Sequence, residues 1–140
     1  MKSIDFSRPL YVLAPLAGYT DLPFRRVAKR FGADLTVSEM VSSNALVHNP
    51  PRTQRLLEKD ASETPYSVQL AANDEGILKR AVELLNTHDG IDCIDLNCGC
   101  PVSKIVCHGS GSSLLKDLDK MGRLIRTIKE TSNKSYTSAK

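Results

Sequence analysis

Two hydrophobic periods alternate along this chain. Short apolar runs give way to stretches in which apolar residues return every three or four positions, and the exchange repeats to the end. The first run, residues 11–14, reads as a strand stopped by Pro15, and Leu16 to Tyr19 as a loop. Thr20 is then an N-cap, and Pro23 is tolerated in a first helical turn. Phe24, Val27, Ala28 and Phe31 follow at i, i+3, i+4 and i+7, one apolar helix face, with Gly32 as its C-cap. Arg25, Arg26, Lys29 and Arg30 take the opposite face. Residues 35–38 predict a second strand, with Glu39 and Met40 at its end, and residues 41–49 a loop with a helical turn. Pro50-Pro51 opens a helix carrying Leu56 and Leu57. Residues 66–70 are the third strand, and Asn73 caps a helix with a wide stripe of Ile77, Leu78, Ala81, Val82, Leu84 and Leu85. Residues 91–96 are the fourth strand. Leu114, Leu115, Leu118, Met121, Leu124, Ile125 and Ile128 predict one long helix, weakened slightly at Gly122. Residues 136–139 have the look of a fifth strand.

Strands and helices in regular alternation predict a parallel α/β sheet with right-handed crossovers. A doubly wound open sheet and a barrel both fit. The doubly wound dinucleotide fold would carry a glycine fingerprint after its first strand, and Pro15-Leu16-Ala17-Gly18 is not one. The reading is therefore a (β/α)8 TIM barrel, which typically needs about 250 residues. This chain would supply roughly its first half, strands 1–4 and the start of strand 5.

Composition narrows the class. The 140 residues suffice for one domain with a real core, and 41% hydrophobic with 25% charged residues is globular. A net charge of +3 permits an RNA or phosphate partner without demanding one. No apolar run approaches the roughly 20 residues of a membrane span. The first ten residues lack the apolar centre of a secretory signal. The expectation is a cytoplasmic protein whose four cysteines are reduced thiols.

Candidate chemistry concentrates in Asp95-Leu96-Asn97-Cys98-Gly99-Cys100-Pro101, where an apolar strand breaks into Gly and Pro. In barrels the C-terminal ends of strands carry the reacting groups. By residue type alone, Cys100 is either a reactive thiol or an inert buried one. Cys93 and Cys98 read as packing. A metal reading of Cys93, Cys98, Cys100, Cys107 and His108 lacks C-x-x-C spacing, and no metal is expected. Gly109-Ser110-Gly111 either cradles a phosphate or supplies flexible backbone where a helix starts. The Arg25, Arg26, Lys29 and Arg30 face either touches RNA or is simply solvated. Glu39 is placed either to contact a ligand or to hold the barrel mouth.

Taken together, five stretches resemble the dihydrouridine synthase family, flavin enzymes that reduce uridine in transfer RNA. They are residues 13–25 (Leu13-Ala14-Pro15-Leu16-Ala17-Gly18-Tyr19-Thr20-Asp21-Leu22-Pro23-Phe24-Arg25), Ser38-Glu39-Met40-Val41-Ser42-Ser43, Val68-Gln69-Leu70, the 95–101 stretch with Lys104, and Gly109-Ser110-Gly111-Ser112-Ser113-Leu114-Leu115. The resemblance implies an eight-stranded barrel holding FMN, re-reduced by NADPH, followed by a small helical RNA-binding domain. It implies that Pro15, Leu16 and Ala17 lie against the flavin, that Gln69 hydrogen-bonds the flavin ring, and that Lys140 contacts FMN. It further implies that Asn97 contacts the target uracil and that Cys100 is the proton donor. A thiol with a pKa near about 8.5 is mostly protonated at neutral pH and can donate. A carboxamide such as Asn97 can read uracil's carbonyl and N–H together, and one such as Gln69 the pyrimidine ring of a flavin.

The family's later motifs, a histidine, glycine-rich phosphate loops and the helical RNA domain, are not in this sequence. The expectation is a fragment, a truncated gene or a partial record, not a working enzyme by itself. A half barrel would expose two sheet edges and apolar surface, so a homodimer is expected only if the half barrel pairs with itself. Two other readings remain: an FMN barrel acting on a free pyrimidine, as a dihydroorotate dehydrogenase does, and a non-catalytic half barrel.

Overall fold

The structure, a computed structural model, describes residues 4–48 and 50–140. Six strands, β1 (Val12–Leu13), β2 (Leu35–Val37), β3 (Val41–Ser42), β4 (Tyr66–Ala71), β5 (Cys93–Leu96) and β6 (Tyr136–Ala139), form one sheet. Every pairing is parallel, in the order β1-β2-β4-β5-β6, with β3 beside β4. The helices are α1 (Leu22–Arg30), α2 (Ser43–His48), α3 (Pro50–Leu57), α4 (Glu75–Asn86), α5 (Ser103–Val106) and α6 (Leu118–Thr131). This is the alternating parallel arrangement with which a (β/α)8 barrel begins. Within the described residues β1 and β6 are the two ends of the sheet.

Strand alternation sorts the two faces. Tyr66, Val68, Leu70, Ile94 and Leu96 point to the helix layer and join Leu78, Ala81, Val82 and Leu85 of α4 and Leu124 and Ile128 of α6 in the main core. The residues between them, Ser67, Gln69, Cys93 and Asp95, face the other way and are mostly polar, yet buried. A sheet with one apolar and one polar face already says which side can hold a ligand.

Several expectations change. The 41–49 loop is instead β3 followed by α2, while Asn49 lies outside the described residues. β2 and β3 lie on the same side of β4, interrupted at residues 38–40. Ser38 sustains the pairing there. Its N–H donates to the Ser67 carbonyl (2.8 Å), and its Oγ accepts from the Gln69 N–H (3.1 Å). Both expected caps shift by one residue. Asp21, not Thr20, caps α1 by accepting from the Phe24 N–H, and Asp74, not Asn73, caps α4 by accepting from the Ile77 N–H. Thr20 is buried and turns its hydroxyl back on Leu16. The single helix expected over 114–128 is two pieces, a 3-10 turn over Gly111–Lys116 and α6, capped by Asp117, and the short α5 precedes them. Leu115 and Leu118 are exposed in consequence.

The largest change is on α1. Phe24, Val27 and Phe31 are exposed, Phe31 at 88%, whereas Arg25 is buried at 2%. Its guanidinium Nε donates to Glu63 Oε1 (2.7 Å), Nη1 donates to the Thr20 carbonyl (2.9 Å), and the group lies 5.1 Å from the Tyr66 ring centre. Burial pushes the Tyr66 phenol up to about 12. Periodicity states which residues share a face, not which face meets the sheet. Here a paired charge and a ring take the inner side. Gly32 does end the helix as expected, at φ +93°, with the Gly32 and Ala33 N–H groups donating to the Lys29 and Ala28 carbonyls.

Candidate functional site

Parallel strands bring their C-terminal ends to one rim, and the loops that leave them meet there. Pro15, Leu16 and Ala17 follow β1, Met40 precedes β3, Gln69 lies in β4, Asn97 and Gly99 to Val102 follow β5, and Lys140 follows β6. Together they line one cavity of about 400 Å³. All seven residues singled out from the sequence, Pro15, Leu16, Ala17, Gln69, Asn97, Cys100 and Lys140, are among its walls. A second cavity of about 400 Å³ lies at the opposite rim, among Arg8, Lys29, Asp34 and Pro65, and its walls carry no thiol or carboxamide.

Local hydrogen bonds hold each wall in place. The loop after β1 is a tight turn: the Tyr19 and Thr20 N–H groups both donate to the Leu16 carbonyl (3.0 Å each). The Gly18 N–H donates to the Glu39 carboxylate. Glu39 thus ties the loop after β1 to the segment between β2 and β3, and of its two readings the structure gives the one that braces the mouth. Lys140 reaches the cavity because β6 continues beside β5: its N–H donates to the Leu96 carbonyl (3.0 Å), and its own carbonyl accepts from the Cys98 N–H (2.7 Å).

The Cys100 loop is held from both sides. Its N–H donates to Asn97 Oδ1 (3.0 Å), and its carbonyl accepts from the Ser112 N–H (3.0 Å). Behind it stands Gly111, at φ +62°. A Cβ there would fall 2.6 Å from the Cys100 carbonyl oxygen and 2.9 Å from Ile105. The Gly109-Ser110-Gly111 stretch therefore backs the cysteine loop, and of its two readings the backbone one accounts for it.

Asn97 is narrower than its residue type suggests. Oδ1 is already engaged by the Cys100 N–H and, at 3.3 Å, by the Gly99 N–H. Nδ2 spends one proton on Gln69 Oε1 (2.8 Å). What remains for a ligand is an N–H donor, so Asn97 can address a carbonyl but not a carbonyl and an N–H at once. Gln69 keeps one N–H and one oxygen lone pair, since its other N–H goes to Asp95 Oδ2 (2.6 Å).

Met40 was not singled out from the sequence, although it stood at the predicted end of strand 2. Its thioether adds an adaptable apolar wall beside Pro15, Leu16 and Ala17. Asp95 and Ser138 were missed as well. The register pairs Gln69 with Asp95 and Asp95 with Ser138, which puts all three on the cavity side. Period-two counting back from Asn97 would have found Asp95.

The four thiols separate by surroundings. Cys93 and Cys98 are buried, and burial pushes both thiols up. Cys100 is half-buried on the cavity wall, and Cys107 is exposed. Iodoacetamide is therefore expected to label Cys107 and Cys100 well before Cys98 and Cys93, because reaction needs an accessible thiolate. Peptide mapping at short times checks this, and early loss of Cys93 would contradict the packing. The described residues contain no group of three or more His, Cys, Asp or Glu side chains placed to hold a metal ion, and no helix long and apolar enough to cross a membrane.

The profile of the family described as Dihydrouridine synthase (Dus) matches residues 12–138. A Helicobacter pylori protein named "Probable tRNA-dihydrouridine synthase" is 48% identical over 138 residues, 98% of this chain and 42% of that protein. The Pseudomonas aeruginosa tRNA-dihydrouridine synthase B is 42% identical over 106 residues, 76% of this chain and 32% of its own length. A Xenopus tropicalis protein named tRNA-dihydrouridine(47) synthase (NAD(P)(+))-like is 38% identical over 125 residues, 89% of this chain and 19% of its own. The chain thus spans about two fifths of the length of the first of these.

Proposed function

The chain belongs to the dihydrouridine synthase family, and on that premise we propose that it forms the FMN-binding wall of an enzyme that reduces uridine in transfer RNA to 5,6-dihydrouridine. The observation that carries the reading is the convergence of Pro15, Leu16, Ala17, Gln69, Asn97, Cys100 and Lys140 on one cavity. The proposed barrel is completed by residues outside this chain, which on this reading supplies its first half.

The residues fit the ring end of a flavin. Pro15, Leu16, Ala17 and Met40 give an apolar wall for a flat ring. Gln69 has one donor and one acceptor to spare, the pair that a flavin's pyrimidine ring requires. Lys140 adds a cationic group at the same rim. When bound and reduced with NADPH, the flavin supplies the hydride for C6 of uracil.

The chain's own residues handle the base and the proton. The spare N–H of Asn97 donates to a uracil carbonyl and fixes the ring. Cys100 Sγ gives its proton to C5, and the resulting thiolate is reprotonated from solvent. The Gly-Cys-Pro turn, braced by Asn97 and Ser112, limits where that sulfur can go. The names of the bacterial relatives support transfer RNA as substrate, and that of the Xenopus protein supports a nicotinamide donor.

The test has two parts. The protein is incubated with FMN and desalted, and its visible spectrum is read for a retained flavin band. NADPH oxidation is then followed with unmodified transfer RNA and, separately, with free uracil or orotate. With the barrel completed by the residues outside this chain, retained flavin and turnover on transfer RNA alone are the expected outcome. Turnover on the free base alone would instead favour a flavin barrel of small-molecule specificity.

A further inference from the structure

Four side chains on the cavity side of the sheet form one continuous hydrogen-bonded relay. Ser138 Oγ donates to Asp95 Oδ1 (2.6 Å), and Gln69 Nε2 donates to Asp95 Oδ2 (2.6 Å). Asn97 Nδ2 donates to Gln69 Oε1 (2.8 Å). The N–H groups of Cys100 (3.0 Å) and Gly99 (3.3 Å) then donate to Asn97 Oδ1.

A carboxamide is reversible by shape: rotating it by half a turn exchanges a donor for an acceptor. Only its partners decide which end points where. In this relay both terminal partners are one-way. Backbone N–H groups can only donate, and both Asp95 oxygens are acceptors, Oδ1 from Ser138 and Oδ2 from Gln69. Every amide between them is left with a single sense.

We propose that Asp95 is a positioning residue that, together with the Cys100 and Gly99 N–H groups, holds this relay in one sense. Asn97 thereby presents an N–H and no acceptor to the substrate base, while Gln69 presents one donor and one acceptor to the flavin ring. The proposal rests on the functional reading of this cavity. It also states a selectivity. A pyrimidine must turn a carbonyl toward Asn97, as uracil can, whereas an exocyclic amino group, as in cytosine, would meet N–H with N–H. Water cannot readily stand in for the carboxylate, because Asp95 is 5% and Gln69 1% exposed.

The relay predicts an effect at a distance. With Asp95 replaced by leucine, Gln69 Nε2 loses its acceptor and Gln69 is no longer held at that end. Asn97 keeps its sense, because the Cys100 and Gly99 N–H groups can only donate to Oδ1, but its Nδ2 loses a fixed partner and the bond that Oδ1 accepts from the Cys100 N–H loosens. Asparagine at position 95 behaves differently. Its oxygen can still accept from Gln69, while its N–H2 donates to Ser138 Oγ.

Asp95→Leu and Asp95→Asn are prepared in the protein, and two quantities are read. The first is the backbone amide proton resonance of Cys100 in the flavin-free protein. The second is FMN affinity by fluorescence titration. Asp95→Leu is expected to move the Cys100 resonance upfield and to weaken FMN binding about tenfold, as for a lost hydrogen bond to a charged group. Asp95→Asn is expected to leave the resonance in place and the affinity within about threefold. A Cys100 resonance unmoved in folded Asp95→Leu overturns the proposal. Should the leucine variant not fold, the wild type itself decides. A strong nuclear Overhauser contact between the Cys100 amide proton and the Nδ2 protons of Asn97 would show the reverse polarity and overturn the proposal, and its absence supports it. Wild-type protein that binds no FMN even with the barrel completed would overturn the functional reading instead, and the Cys100 resonance would still decide the relay.

Discussion

On the proposed mechanism, and with the barrel completed, replacing Cys100 with alanine is expected to slow uridine reduction by about 10²–10⁴-fold, the usual contribution of a positioned general acid, while the flavin band is retained. Serine at the same position is expected to fail almost as badly. It keeps the size and the loop hydrogen bonds, but an alcohol is a far weaker acid than a thiol. The effect should fall on turnover rather than on transfer RNA affinity, because on the proposed mechanism the thiol acts on C5 only as the bond is reduced. The structure gives the reason for placing so much on this side chain. Among the four cysteines, Cys100 alone lines the cavity, and its backbone is held by Asn97 on one side and by Ser112 and Gly111 on the other. Single-turnover oxidation of the reduced flavin by transfer RNA reads the step directly. An alanine variant that reacts at the wild-type rate would assign the proton to another group.

The second large effect is on stability. Arg25→Ala is expected to destabilise the fold by about 3–5 kcal/mol, the range for removing one member of a buried ion pair. Glu63 is fully buried, and without Arg25 its carboxylate would keep only the Thr36 hydroxyl (2.8 Å) and the Asp60 N–H (2.8 Å). The Thr20 and Glu58 carbonyls, which accept from the guanidinium, would lose that donor too. Replacing both partners, as Arg25→Met with Glu63→Leu, is expected to recover most of the loss, because no charge is then left buried alone. Urea unfolding of the single and double variants measures this. A single variant within about 1 kcal/mol of wild type would mean that the pair is hydrated in solution.

Both residues illustrate how far the chain can be read without coordinates. The apolar period around Phe24 correctly announced a helix, and the strand that breaks at Asn97 correctly announced a loop at a sheet rim. Local rules erred where two neighbouring residues could do the same job. Thr20 and Asp21 are both plausible caps, as are Asn73 and Asp74, and in each pair the aspartate accepts the first-turn N–H. The helix expected across residues 114–128 was continuous in its apolar spacing, yet Asp117 caps a new start inside it. Spacing records which residues could share a face and is blind to a break such as this one, which leaves Leu115 and Leu118 exposed.

The sequence by itself determined the alternation of strands and helices and the parallel α/β class, which follow from local period. Its resemblance to the dihydrouridine synthase family singled out the seven residues that meet at one cavity. Only the tertiary structure decided that Arg25 turns inward, because that depends on Glu63 and Tyr66, far along the chain. Only it decided that Glu39 braces Gly18, and that Gly111 stands behind Cys100. It alone decided the sense of Asn97 and Gln69. A carboxamide has no direction of its own, and the carboxylate and backbone N–H groups that give it one come from strands brought side by side by the register of the sheet.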